Sequence, residues 1–158
     1  MSLARHTLAG LVLCLTMAAC TVPLGEPRGG SHSLSAEPDQ VDFGYVSMTS
    51  ISVEEYIEIS NDGGREVRIE SIRISDESAN AFALQMVPAQ LPRTLSPGGS
   101  ETISAYFAPL SSGEFLGWIE VLTDVDDDPL LIALGGCSTN SDCVVEFGDP
   151  PGDDDDDD

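Results

Sequence analysis

The sequence predicts an all-β domain, a two-sheet sandwich of about seven strands spread over roughly 100 residues. Three observations carry that expectation. Short runs of alternating apolar and polar residues recur from Val41 to Gly136, turn-forming residues separate them, and no window keeps helical spacing. Prolines 88, 92, 97 and 109 all fall in the joins, where they interrupt no central ladder.

Each run assigns its own inner face. Ile57 and Ile59 share one face, with Glu58 opposite, and Asn61-Asp62-Gly63-Gly64 follows. Those four residues tolerate positive φ, so they predict a hairpin into the next run. There Val67 and Ile69 are in phase, while Ile72 and Ile74 are in the opposite phase. A slip at Glu70-Ser71 predicts a bulge or a crossing from one sheet to the other. Pro97-Gly98-Gly99 is a turn that feeds the run from Ser100, where Ile103, Ala105 and Phe107 lie together. Phe115, Gly117, Ile119 and Val121 then alternate with Leu116, Trp118 and Glu120, and Leu130, Ile132 and Leu134 close the pattern. Phe43 and Phe107 are expected in the core. Trp118 falls on the outer face, either partly covered by a neighbouring loop or exposed as an anchor for a partner.

The flanks have a different character. Residues 1–19 form a leader, with Arg5 before an apolar stretch from Leu8 to Ala19. About 12 residues are too few for a permanent span, which takes about 20, so the segment reads as a secretory signal. It ends in Met17-Ala18-Ala19-Cys20, which resembles the bacterial lipobox. The resemblance implies cleavage before Cys20 and acylation of its sulfur, with methionine standing where leucine is commoner. Residues 20–35 are rich in Pro, Gly and Ser and are expected to be a flexible tether, reaching roughly 45–50 Å if extended. Residues 36–136 are the expected domain, and 137–158 a cysteine-paired loop with an acidic tail. In an oxidising compartment Cys137 and Cys143 read as a disulfide.

Charge and chemistry narrow the function. The net charge is −22, all 28 acids lie after the leader, and there is no lysine. Nucleic acid is therefore excluded as a partner, and cations or basic proteins are favoured. The two histidines, His6 and His32, fall in the leader and the tether, so the domain is expected to lack the usual general base. No enzymatic activity and no resident cofactor are expected. Asp124, Asp126 and Asp128 have the opening spacing of a calcium loop, but Pro129 and Gly135 stand where glycine and glutamate are required. An acidic turn and a calcium site are the two readings of that segment.

The order of the motifs is similar to that of hydin-type immunoglobulin-like domains of the ASH group, whose bacterial versions are called choice-of-anchor D domains. The residues that carry the resemblance are Val41-Asp42-Phe43-Gly44, Ile57 to Gly63, Phe82-x-Leu84, Leu95 to Ser100, Tyr106-Phe107-x-Pro109, Gly113 to Ile119, and Leu134-x-Gly136. It implies a seven-stranded immunoglobulin-like β-sandwich related to the major sperm protein fold, serving as a binding or scaffold module without a catalytic residue set. The expected function is a non-enzymatic, membrane-anchored lipoprotein of the cell envelope, periplasmic or surface-exposed, with the outer membrane favoured. Its domain would bind an unknown protein partner or act structurally. The alternative is a calcium-responsive adhesive or matrix protein.

Overall fold

The computed structural model describes residues 31–52, 54–76, 78–87, 90–126, 128–139 and 144–148. Cys20, Cys143, the leader and the aspartate-rich end lie outside the described residues.

Among the described residues nine strands build two sheets. One sheet has the order β1-β3-β7-β5, with β1 at Leu34–Glu37, β3 at Glu55–Asn61, β7 at Ser100–Phe107 and β5 at Phe82–Val87. The other has the order β2-β9-β8-β4-β6, with β2 at Gln40–Tyr45, β9 at Leu130–Cys137, β8 at Glu114–Thr123, β4 at Val67–Ile74 and β6 at Arg93–Leu95. All pairs are antiparallel except β2 with β9. The fold is thus the expected immunoglobulin-like sandwich, with nine strands where the alternation suggested about seven. The short strands β1 and β6 show no readable alternation in the sequence, because three or four residues hold too little of it.

The inner faces are those the alternation assigns. Ile57, Ile59, Ile69, Ile103, Phe107, Ile119, Val121, Ile132 and Leu134 are all essentially without solvent contact. Burying side chains of this size gives about 1.5–3 kcal/mol each, which offsets the entropy of ordering the strands. At one end of this core the rings of Phe43, Phe82, Phe107 and Phe115 pack together, with Phe107 lying 5.2 Å from Phe82 and 5.3 Å from Phe115. Gly136 makes room for them, since a Cβ there would sit 2.7 Å from Phe107 Cδ1.

The phase slip in β4 is a bulge. Pairing with β8 shifts between Ile69 and Ser71, which lets Val67, Ile69 and Ile72 all face the core within one sheet. The Asn61–Gly64 segment, in contrast, is not a hairpin between paired strands. It carries the chain from β3 in one sheet to β4 in the other. The amides of Asp62 and Gly64 donate to the carbonyls of Ser33 and Ser31, so the chain entering β1 takes the place a hairpin partner would have. Gly63 permits that approach, because its Cβ would meet the Ser31 carbonyl oxygen. The turn before β7 matches expectation: Gly98 has φ +75° after Pro97, and Gly99 donates to the Ser96 carbonyl at 2.8 Å.

Packing extends beyond the 36–136 span read from the alternation. Strand β1 begins at Leu34. Past β9, Ser138 donates its amide to Gly113, and Val145 is buried. Val145 and Phe147 lie against Gly135 on the outer face of β9, where any side chain would displace them. Two apolar residues after a polar loop form no recognisable period, so the sequence pattern does not reveal this contact.

Candidate functional site

Strand directions give the sandwich two distinct ends. The chain enters β1 beside the Asn61–Gly64 crossing, the Pro97–Gly99 turn and the Asp124–Asp128 turn. At the far end β2, β4, β7 and β9 finish while β3, β5 and β8 begin.

Large apolar side chains stand exposed at the far end: Tyr45 is 46% exposed, Met48 50%, Ile51 67% and Leu110 82%. Hydrogen bonds fasten the loops that carry them to one another. Thr49 donates its amide to the Pro109 carbonyl at 3.1 Å, and Ser52 donates its amide to Phe107 at 2.8 Å. The Ser52 hydroxyl accepts the Phe107 amide at 2.8 Å, and the Val46 amide reaches Cys137 at 2.8 Å. A groove between them is lined by Phe43, Tyr45, Val46, Ser50, Ile51 and Glu55. Phe43 connects that groove to the aromatic cluster, so one of its lining side chains packs on the core.

Thr49 has φ +66°. A β-branched residue in the left-handed region is a backbone outlier, costing of order 1–3 kcal/mol, and it persists only where surrounding contacts dictate it. Here the bond to Pro109 is such a contact, and the turn it fixes holds Met48 outward. None of these residues belongs to an alternating run. The available sequence signal was Met48 and Ile51 inside the otherwise small and polar stretch Ser47 to Ser52.

The residues singled out by sequence are dispersed. Trp118 lies on the outer face of β8 opposite Ala133 of β9, half-buried. The Ser75–Ala79 loop runs along its strand: Ser75 donates to the Trp118 carbonyl, and the Trp118 amide donates to the Ser78 hydroxyl at 2.7 Å. Asp124 is at the chain-entry end, where its Oδ1 accepts the Arg68 amide at 3.0 Å and is thus engaged in holding β4. Asp126 and Asp128 are exposed and line a shallow groove with His32, Ser33 and Leu34. Among the described residues no three His, Cys, Asp or Glu side chains converge as a metal site. Cys137 is fully buried and disulfide-bonded.

His32 corrects one expectation. It belongs to the packed structure, half-buried at the chain-entry end, rather than to a free tether. Its Nδ1 is buried with no hydrogen-bond partner. A serine–histidine–aspartate relay requires a carboxylate on that nitrogen, so Ser33, His32 and Asp126 do not form one despite lining the same groove.

No protein-family model matches the chain, and no curated protein is similar to it. Solved structures are. The ASH/PapD-like domain 7 of human CEP192 is 17% identical, with a TM-score of 0.45 over 85% of this chain and 97% of that domain. A protein of unknown function from Porphyromonas gingivalis W83 is 18% identical, with a TM-score of 0.50 over 68% of this chain and 46% of the other. SSP-19, an MSP-domain protein of Caenorhabditis elegans, is 14% identical, with a TM-score of 0.41 over 67% of this chain and 99% of its own. The likeness to the Porphyromonas protein is one of fold.

Proposed function

We propose that the protein is a non-enzymatic lipoprotein of the cell envelope, acylated at Cys20, whose immunoglobulin-like domain is a protein-interaction module. One observation carries the interaction reading. Large apolar side chains are held in solvent by a bonded, conformationally constrained pair of loops, and no catalytic constellation accompanies them among the described residues. Exposed patches of this kind mark interaction sites more often than solvent-facing surface. The lipobox-like leader supports attachment through Cys20, and the Pro- and Gly-rich segment after it supports a tether.

A scan with photoreactive benzoyl-phenylalanine over every face of the full-length protein, in its native cells, tests the module directly. Asp62, Glu70, Thr102, Met48 and Leu110 sample both ends and both outer faces. Protein adducts from at least one face are expected. A domain that yields none anywhere is not an interaction module.

The pairing of Cys137 with Cys143 belongs to the same proposal. The five intervening residues are polar and turn-forming, so a bridge of that size is mainly local, worth about 2 kcal/mol in the chain-entropy model. It would fix where residues 144–148 return to the outer face of β9. Peptide mapping without reductant is expected to give one disulfide-linked peptide containing both cysteines; a bond from Cys137 to any other cysteine contradicts this pairing.

A further inference from the structure

We infer that the far end of the sandwich docks a basic protein segment, one that places an aliphatic or aromatic side chain between arginines or lysines. The inference rests on the reading of the domain as an interaction module and names its site and the chemistry of its partner.

The apolar part of the argument is geometric. Tyr45 and Ile51 line a groove together with Phe43, and Met48 and Leu110 stand exposed on the two bonded loops beside it. Phe43 packs on Phe82 and Phe107 at ring separations of 6.0 and 6.1 Å, so that part of the lining is braced by the core. Little ordering is then left to be done on binding, which is what makes a small apolar site effective. Thr49 at φ +66° is strained backbone placed in the loop that presents Met48 and Ile51.

The electrostatic part identifies the occupant. Among the described residues the loops and strand starts of the far end contribute Glu54, Glu55, Asp76 and Glu114 and not one arginine, lysine or histidine. Glu55 lines the groove itself, and Glu114 stands opposite Cys137 in the β8–β9 ladder, separated from Tyr45 by strand β9. The nearest arginine along β4, Arg73, is ion-paired with Glu120 at 2.6 Å. Carboxylates around an apolar centre attract a cationic rim and repel a second copy of this acidic chain. They also repel anionic lipid headgroups, which disfavours insertion of the far end into a membrane.

The photo-crosslinking scan resolves this by position. Benzoyl-phenylalanine at Met48 or Leu110 is expected to give one protein adduct in common, with the linked peptide flanked by arginine or lysine. Both side chains are exposed, so neither replacement disturbs the core. Adduct yield is expected to fall several-fold, roughly fivefold, in the Glu55→Gln, Glu114→Gln double variant and in about 0.5 M salt. Adducts at Asp62, Glu70 or Thr102 but not at Met48 and Leu110 overturn the site while leaving the module reading intact. Adducts at Met48 or Leu110 with lipid, with a second copy of the chain, or with a peptide lacking basic residues overturn the stated partner. A yield indifferent to both the glutamine variants and salt does so as well.

Discussion

Replacing Asn61 by alanine is expected to destabilise the domain by about 3–5 kcal/mol, one of the two largest effects of any single substitution considered. Asn61 is fully buried where β3 leaves its sheet. Its Nδ2 donates to the carbonyls of Arg65 at 2.8 Å and Leu95 at 2.9 Å, and its Oδ1 accepts the Gly63 amide at 3.0 Å. Its own amide and carbonyl are bonded to Gly99 and Gly98. One side chain thus joins the end of β3 to the start of β4 and to β6 in the opposite sheet. Alanine leaves two acceptors and one donor without their partner, each costing about 1–3 kcal/mol where water cannot replace it. Thermal melting should show a fall of roughly 10–20 °C for a domain of this size. A fall of no more than about 3 °C would mean that the crossing is held by the backbone bonds alone.

Phe107→Ala is expected to cost a similar amount, about 3–5 kcal/mol, by a different mechanism. Phe107 has no solvent exposure and touches the rings of Phe43, Phe82 and Phe115. Truncation opens a cavity that the surrounding β-strands cannot close without moving the ladder. The glycine facing the ring gives a specific check on this packing. Gly136→Ala brings a methyl group to within 2.7 Å of Phe107 Cδ1 and should cost about 1–3 kcal/mol by overpacking. Combined with Phe107→Leu, the alanine should cost less than it does alone, because the shorter side chain vacates part of the contested space. Strict additivity in that double-mutant cycle would refute the contact. The backbone amide and carbonyl of Phe107 hold Ser52 and are kept by alanine, so Phe107→Ala acts through lost ring packing at the far end, whereas Asn61→Ala acts through lost hydrogen bonds at the chain-entry end.

The core was legible in the sequence because alternation is a direct physical signal. Ile57 with Ile59, Ile103 with Phe107, Ile119 with Val121 and Ile132 with Leu134 all face inward as their phase requires. The slip at Glu70-Ser71 corresponds to a bulge for the same reason. What alternation cannot express is which strands share a sheet. Asn61-Asp62-Gly63-Gly64 has hairpin chemistry, yet β3 and β4 part there, because Asn61 turns inward and the chain before β1 supplies the backbone partners. Composition places His32 in a tether, while the structure packs it against the domain. Tyr45, Met48 and Ile51 are close in sequence, but Leu110 is distant, and only the fold brings it to the same end. Trp118 stands out in the sequence because its phase puts it on the outer face, yet it is more covered than any of those four.

The proposed display of the domain on a tether, with its apolar end turned away from the point of chain entry, depends on attachment through Cys20. That attachment is measured most directly by growing cells with an alkyne fatty-acid analogue and isolating the full-length protein. Fluor coupled to the alkyne should appear on the wild type, with the protein in the membrane fraction. Multiple acyl chains on one cysteine make such anchoring stable, whereas a single chain binds only marginally. In the Cys20→Ser protein the label should vanish, and the chain should become soluble or keep its leader. Label retained by Cys20→Ser, or an unlabelled wild type that is released without its leader, would contradict a lipid-anchored module.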